Sequence, residues 1–188
     1  MVLLTPDQLA NAPERAEEQV KREPHAAGSH LMAKHQYTIL SMMKDEAPFL
    51  LHWIAHPRLI GFDRIVVFTN HCGDGTDALL DRLEEMGEVT HHRNKVPDGG
   101  KPQPLALRRA GKLEDVVNSD WLIALDVDEY VNIKVGRGHL NDLFATAPEA
   151  DGFAITWRMM GGAGRIEWTD DPVTEAYPSG APDLFRKG

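Results

Sequence analysis

The stretch WLIALDVDEY, Trp121 to Tyr130, runs five apolar residues straight into Asp126, Asp128 and Glu129. Side chains alternate along an extended chain, so a strand continued through Asp128 sets Asp126 and Asp128 on one face and Val127 and Glu129 on the other. Two carboxylates at that spacing repel unless a cation sits beside them. Mg2+ or Mn2+ suits such oxygen donors and keeps positions open for water or phosphate, so Asp126 and Asp128 are expected metal ligands that clamp a diphosphate. The cation would offset charge building on a departing diphosphate, and Glu129 would act as a supporting residue rather than a ligand. The plain alternative, solvated acids closing a strand, weighs less here. Asp126 ends a strongly apolar strand within a chain of strand–helix repeats.

Those repeats begin at Gln36. YTILSMM reads as a buried strand, KDEAP as its exit loop, and FLLHWIAHPRLIG as a helix broken near Pro57. DRIVVFTN is a second strand, HCGDGT a glycine-containing turn, and TDALLDRLEEMG an amphipathic helix ended by Gly87. EVTHHRN makes a short third strand, and VPDGGKPQP a loop. LALRRAGKLEDVVN is then one helix leading into the fourth strand, DWLIALDVDEYV. Strands alternating with helices imply an α/β fold with a mainly parallel central sheet. Ligands of such sheets bind beyond the carboxyl ends of the strands, where KDEAP, TNHCGDGT and DVDEY all fall.

The other polar loops supply further candidates. Asn70 and Asp74, beside Gly73 and Gly75, are suited to hydrogen-bond a base or ribose, although D-G is also an ordinary turn. Lys101, Gln103, Arg108 and Arg109 surround an expected helix start and could meet phosphates; helical arginines are otherwise surface residues.

Composition narrows the partners. The chain has 188 residues with 29 acidic against 20 basic side chains, a net charge of −9. It shows no Lys/Arg cluster of the kind that tracks a phosphate backbone, so nucleic acid is not an expected partner. Hydrophobic residues make up 42%, and no apolar run approaches the roughly 18 residues of a transmembrane segment. With one cysteine, Cys72, no internal disulfide forms, and no secretory signal pattern opens the chain. The expected localisation is cytoplasmic. Residues 1–35 read as an arm or marginal helix, capped by Thr5 and interrupted by Pro13, followed by a linker. The alternative is a helix that docks on a partner subunit of a homo-oligomer.

Taken in order, SMMKDEAPFLLHWIAHPRLIGFDRIVVFTNHCGDGTDALL, KPQPLAL, DWLIALDVDEYV and ITWRMMGG resemble bacterial glycosyltransferases of the family-2-like group, related to the family-92 enzymes. The resemblance spans about residues 36 to 186. It implies a GT-A-type, Rossmann-like sandwich over 36–188 that binds a nucleotide-diphosphate sugar, usually with a divalent metal. On that resemblance Asp126 and Asp128 match the D-x-D pair, which binds metal and donor diphosphate. Lys44, Asp45 and Glu46 match the loop beside the nucleotide base, with Asp45 where Asn is usual. Asn70 and Asp74 match the second nucleotide loop, with Thr69 where Asp is common. Trp157 and Arg158 match a segment on the donor-sugar and acceptor side; the alternative for Trp157 is a core aromatic. Relatives continue past the end of this chain into an acceptor-site region, so a truncated catalytic domain is one expectation.

The activity this implies is metal-assisted transfer of a hexosyl-like sugar from a nucleotide diphosphate to an acceptor hydroxyl, with inversion. A carboxylate base would take the acceptor proton, with Glu167, Asp170, Asp171 and Glu175 in RIEWTDDPVTE as candidates. The rivals are a nucleotide- or sugar-binding module without turnover and a metal-dependent phosphohydrolase or nucleotidyltransferase.

Overall fold

The computed structural model describes residues 2–3, 36–162, 164–167 and 169–182. The expected arm and linker over 4–35 lie outside them. Strand β1 (Val2–Leu3) is followed by β2 (Tyr37–Met43), α1 (Ala47–Ile60), β3 (Arg64–Thr69), α2 (Thr76–Glu85) and β4 (Thr90–Arg93). Then come α3 (Pro102–Ala110), α4 (Glu114–Val117) and β5 (Trp121–Ala124). Short elements complete the chain: α5 (Leu140–Ala145), β6 (Phe153–Ala154), β7 (Met160–Gly161), α6 (Val173–Ala176) and β8 (Ser179–Gly180).

Four strands form an all-parallel sheet in the order β4-β3-β2-β5, with Ile39 opposite both Ile65 and Ile123. This is the α/β sandwich that alternating strands and helices require. Both faces are covered, as a parallel sheet needs. Ile39, Met43, Ile65, Val67, Ile123 and Leu125 pack with Leu50, Trp53 and Ile54 of α1 and Leu80 and Leu83 of α2. Leu40, Val66, Phe68 and Leu122 alternate to the other face, against Ala106 and Ala110 of α3 and Val116 of α4. β1 pairs antiparallel with β6, and β7 with β8, as two small separate sheets.

Two expected boundaries differ. Helix α1 runs through Pro57 to Ile60 rather than breaking there. Pro57 denies the ladder the one bond its N–H would give the Trp53 carbonyl, while its own carbonyl still accepts from Gly61 and Phe62. Gly61, at φ 105, supplies the left-handed cap. The expected helix over LALRRAGKLEDVVN is two, α3 and α4, because the chain turns at Gly111–Lys112 and Leu113 takes an extended conformation.

Candidate functional site

The chain leaves β2 toward β3 on one side and later returns to place β5 on the other. The loops after β2 and β5 therefore diverge and open a crevice at the carboxyl edge of the sheet. Lys44, Asp45 and Glu46 follow β2; Asp126, Asp128 and Glu129 follow β5.

The D-x-D segment keeps the alternation but not the strand. The last bond to β2 is from Leu125 N–H to the Leu40 carbonyl, 3.0 Å, and the chain then turns, with Glu129 N–H donating to the Asp126 carbonyl at 3.1 Å. Leu125 and Val127 are buried while Asp126 and Asp128 are exposed. Glu129 departs from expectation. Its carboxylate folds back to accept from the Asp126 N–H at 3.0 Å, because the turn leaves that donor without a strand partner. It closes the acidic turn rather than facing away.

The acids of these loops act on one another. Burial, and then the charge of Asp128, pushes the Asp126 carboxyl up from its ordinary value. Burial also raises Glu46, followed by the charges of Asp128, Asp74, Asp126 and Asp45. No Lys or Arg among the described residues forms an ion pair with Asp126, Asp128 or Glu46. No group of three or more His, Cys, Asp or Glu side chains among the described residues forms a ready-made metal cage. A donor set of two carboxylates fits Mg2+ or Mn2+, which retains phosphate and water positions, and does not fit Zn2+.

The second loop is stitched to the first. Asp74 accepts from Ala47 N–H at 2.9 Å, Thr76 N–H at 2.9 Å and the Thr76 hydroxyl at 2.6 Å, bonds that lower its carboxyl, the hydroxyl most. The Thr76 oxygen in turn accepts from Glu46 N–H at 2.8 Å, and Asp45 accepts from Gly73 N–H at 2.7 Å. Asp45 and His71 both sit at positive φ, 58° and 52°. Asp45 and Asp74, read from sequence as ligand contacts, thus spend hydrogen-bonding capacity on joining the two loops. Asn70 is half-buried at the foot of its loop, and Lys44 is exposed.

Arg109 is also occupied. Its guanidinium donates to Asn94 Oδ1 at 2.5 Å and to the Lys95 carbonyl at 2.9 Å, and Asn94 donates to the Pro102 carbonyl. It ties down the loop ahead of α3. Lys101 caps α3, and Lys101, Gln103 and Arg108 are exposed. Trp157 is 65% exposed, so it is a surface aromatic and not a core one. Arg158 donates from Nε to the Ala181 carbonyl at 2.9 Å. Of the expected bases, Asp171 accepts from the Thr169 hydroxyl at 2.6 Å and lies 3.6 Å from Arg165. Glu167, Asp170 and Glu175 are exposed.

Three α1 residues that sequence reasoning passed over hold the acidic turn in place. Trp53 donates from its indole to the Glu129 carbonyl at 3.2 Å, His56 Nε2 meets the Val131 carbonyl at 2.9 Å, and His52 Nδ1 meets the Tyr130 hydroxyl at 3.1 Å. Burial, with the Asp128 charge second, pushes the Tyr130 phenol up to about 12. The i, i+4 spacing of His52 and His56 was the available signal, since such residues share a helix face.

No protein-family model matches the chain. It is similar to a glycosyltransferase family 92 protein of Oryza sativa subsp. japonica, 24% identical over 150 residues, covering 76% of this chain and 24% of that protein. It is also similar to a glycosyltransferase family 92 protein of Ricinus communis, 26% identical over 106 residues, covering 54% of this chain and 18% of that protein. The chain therefore spans about a quarter or less of the curated relatives it matches. A crystal structure of S. aureus TarS aligns with 61% of this chain and 20% of its own, at a TM-score of 0.45 and 16% identity.

Proposed function

We propose that this chain is the GT-A-type nucleotide-sugar-binding part of a glycosyltransferase that moves a sugar from a nucleotide diphosphate to an acceptor hydroxyl, with inversion and divalent-metal assistance. The observation that carries the reading is that Glu46 and the Asp126–Asp128 pair lie in the loops leaving β2 and β5, neighbouring parallel strands, at their carboxyl ends. The glycosyltransferase names of the two curated relatives support the same class.

Asp126 and Asp128 would hold Mg2+ or Mn2+, which when bound supplies positive charge for the donor diphosphate. Glu129 keeps the turn closed through the Asp126 N–H, and Trp53 and His56 hold its backbone from α1. The joined loops, with Lys44, Glu46 and Asn70, border the crevice where base and ribose would lie. Lys101 and Gln103, at the start of α3, offer donors to phosphate oxygens. Trp157 offers an exposed ring face to a sugar. One of Glu167, Asp170 and Asp171 would take the acceptor proton; Asp171 is held by Thr169 and Arg165.

Following release of nucleoside diphosphate from a panel of nucleotide-diphosphate sugars with Mn2+ tests this. The reading expects release from at least one donor, reduced roughly 100-fold or more by Asp128→Asn, the scale of removing a group that stabilises a leaving charge. Phosphate release from a simple monoester instead would identify a hydrolase. Donor binding with no turnover at any acceptor would identify a binding module.

A further inference from the structure

Past the acidic turn, the backbone of 129–131 belongs to no strand, since β5 ends at Ala124. Among the described residues no backbone N–H donates to the carbonyl of Glu129 or of Val131. Two side chains of α1 do so instead. The Trp53 indole N–H donates to Glu129 at 3.2 Å, and His56, about one helical turn on, reaches Val131 from Nε2 at 2.9 Å. A carbonyl oxygen only accepts, so Nε2 is the donor there whatever the charge of the ring. Donors on one face of the helix thus meet alternate carbonyls of the chain, as the edge of a neighbouring strand would. The seam between them is apolar, lined by Ile39, Pro57, Phe62 and Leu125. Hydrogen bonds shielded from water in this way are strong when made and costly when lost.

Packing alone would not place the turn so narrowly. Leu125, Val127 and Val131 are buried in the core, which fixes how deep the segment sits, but dispersion has no direction. Hydrogen bonds do. Helix α1 is also anchored at its start: Asp74 accepts the N–H of Ala47, its first residue, and Thr76 accepts that of Glu46. One helix therefore carries the joined loops at one end and the acidic turn further along, about 14 Å away between Ala47 and His56 at the helical rise. We propose that Trp53 and His56 are positioning residues for the D-x-D pair, fixing through α1 the turn that bears Asp126 and Asp128 against the joined loops. What the pair holds rests on the metal reading above; the grip on its backbone does not.

His56 is the residue to change, because Trp53 is buried and replacing it would open a cavity. His56→Leu removes the donor, while His56→Gln can put an amide N–H in its place. In the metal-free chain the amides of Asp126 and Glu129 should exchange roughly five- to tenfold faster in His56→Leu, the scale of one lost hydrogen bond, and within about twofold of wild type in His56→Gln. Unchanged exchange in His56→Leu, equal acceleration in His56→Gln, or the same acceleration in α3 on the opposite face of the sheet would overturn the grip. Mn2+ affinity, read from the spin-resonance signal of the free ion, should fall roughly five- to tenfold in His56→Leu and little in His56→Gln. Equal affinity in all three chains would overturn the positioning role. A wild-type chain that binds no Mn2+ would contradict the metal reading instead, and the exchange rates would still decide the grip.

Discussion

The charge of Asp128 opposes ionisation of both Asp126 and Glu46, so neutralising it has two opposite effects. With no metal bound, Asp128→Asn removes its repulsion of the Asp126 and Glu46 carboxylates. The metal-free variant should melt higher than wild type, by about 2–4 °C for each kcal/mol relieved in a chain of this size. Added Mn2+ should raise the wild-type melting temperature and not that of the variant. The pH dependence has a definite sign. A carboxyl raised in the folded state binds its proton more tightly there than in the unfolded chain, so Asp126 and Glu46 cost stability above their raised range and not below their ordinary one. The advantage of Asp128→Asn over wild type should therefore be largest at neutral pH and shrink as pH falls, as thermal melts at stepped pH would show. Tyr130→Phe is a different case: it loses the bond to His52 Nδ1, about 1 kcal/mol, with the ring contacts to His52 and His56 retained. A small fall in melting temperature with weakened Mn2+ response would show that α1 holds the acidic turn; an unchanged Mn2+ response would show that Tyr130 only packs.

At the scale of elements, the loops after β2 and β3 behave as one unit because Asp74, Asp45 and Thr76 bind across them. Asp74→Ala should lower stability and loosen both loops together, and hydrogen exchange at Ala47 and Thr76 measures it. Asp74 and Asp81 are lowered in the folded state, Asp74 chiefly by the Thr76 hydroxyl and Asp81 chiefly by Arg93. Their contributions are present above the ordinary aspartate range and lost as pH falls through the lowered values, so wild type and Asp74→Ala should converge in stability in strong acid. Much of this level was legible beforehand. Apolar runs with β-branched residues marked β2 and β3, and Gly87 marked the end of α2. What sequence did not disclose was where local rules yield to packing. Pro57 stands inside α1 without ending it, Gly111 divides α3 from α4, and β5 ends at Ala124 because the Asp126 N–H finds Glu129 rather than a strand. Asp74 and Arg109 look like ligand residues by type, yet their partners are backbone groups and side chains remote in sequence, which no local pattern encodes. His91 of β4 was hidden for the same reason: its partners are Thr69 of β3 and Asp81 of α2.

For the whole molecule, no helix among the described residues is long and apolar enough to cross a membrane. The net charge of −9 and the acidic crevice oppose an anionic ligand unless a cation accompanies it. That requirement separates this account from a sheet-edge cluster of ordinary surface acids, and calorimetric titration of nucleoside diphosphates into the full chain addresses it most directly. The account predicts binding that requires Mn2+ or Mg2+ and weakens at least about tenfold, roughly 1.4 kcal/mol, in Asp126→Asn and in Asp128→Asn. Equal binding with metal absent, or binding that neither substitution alters, would contradict it.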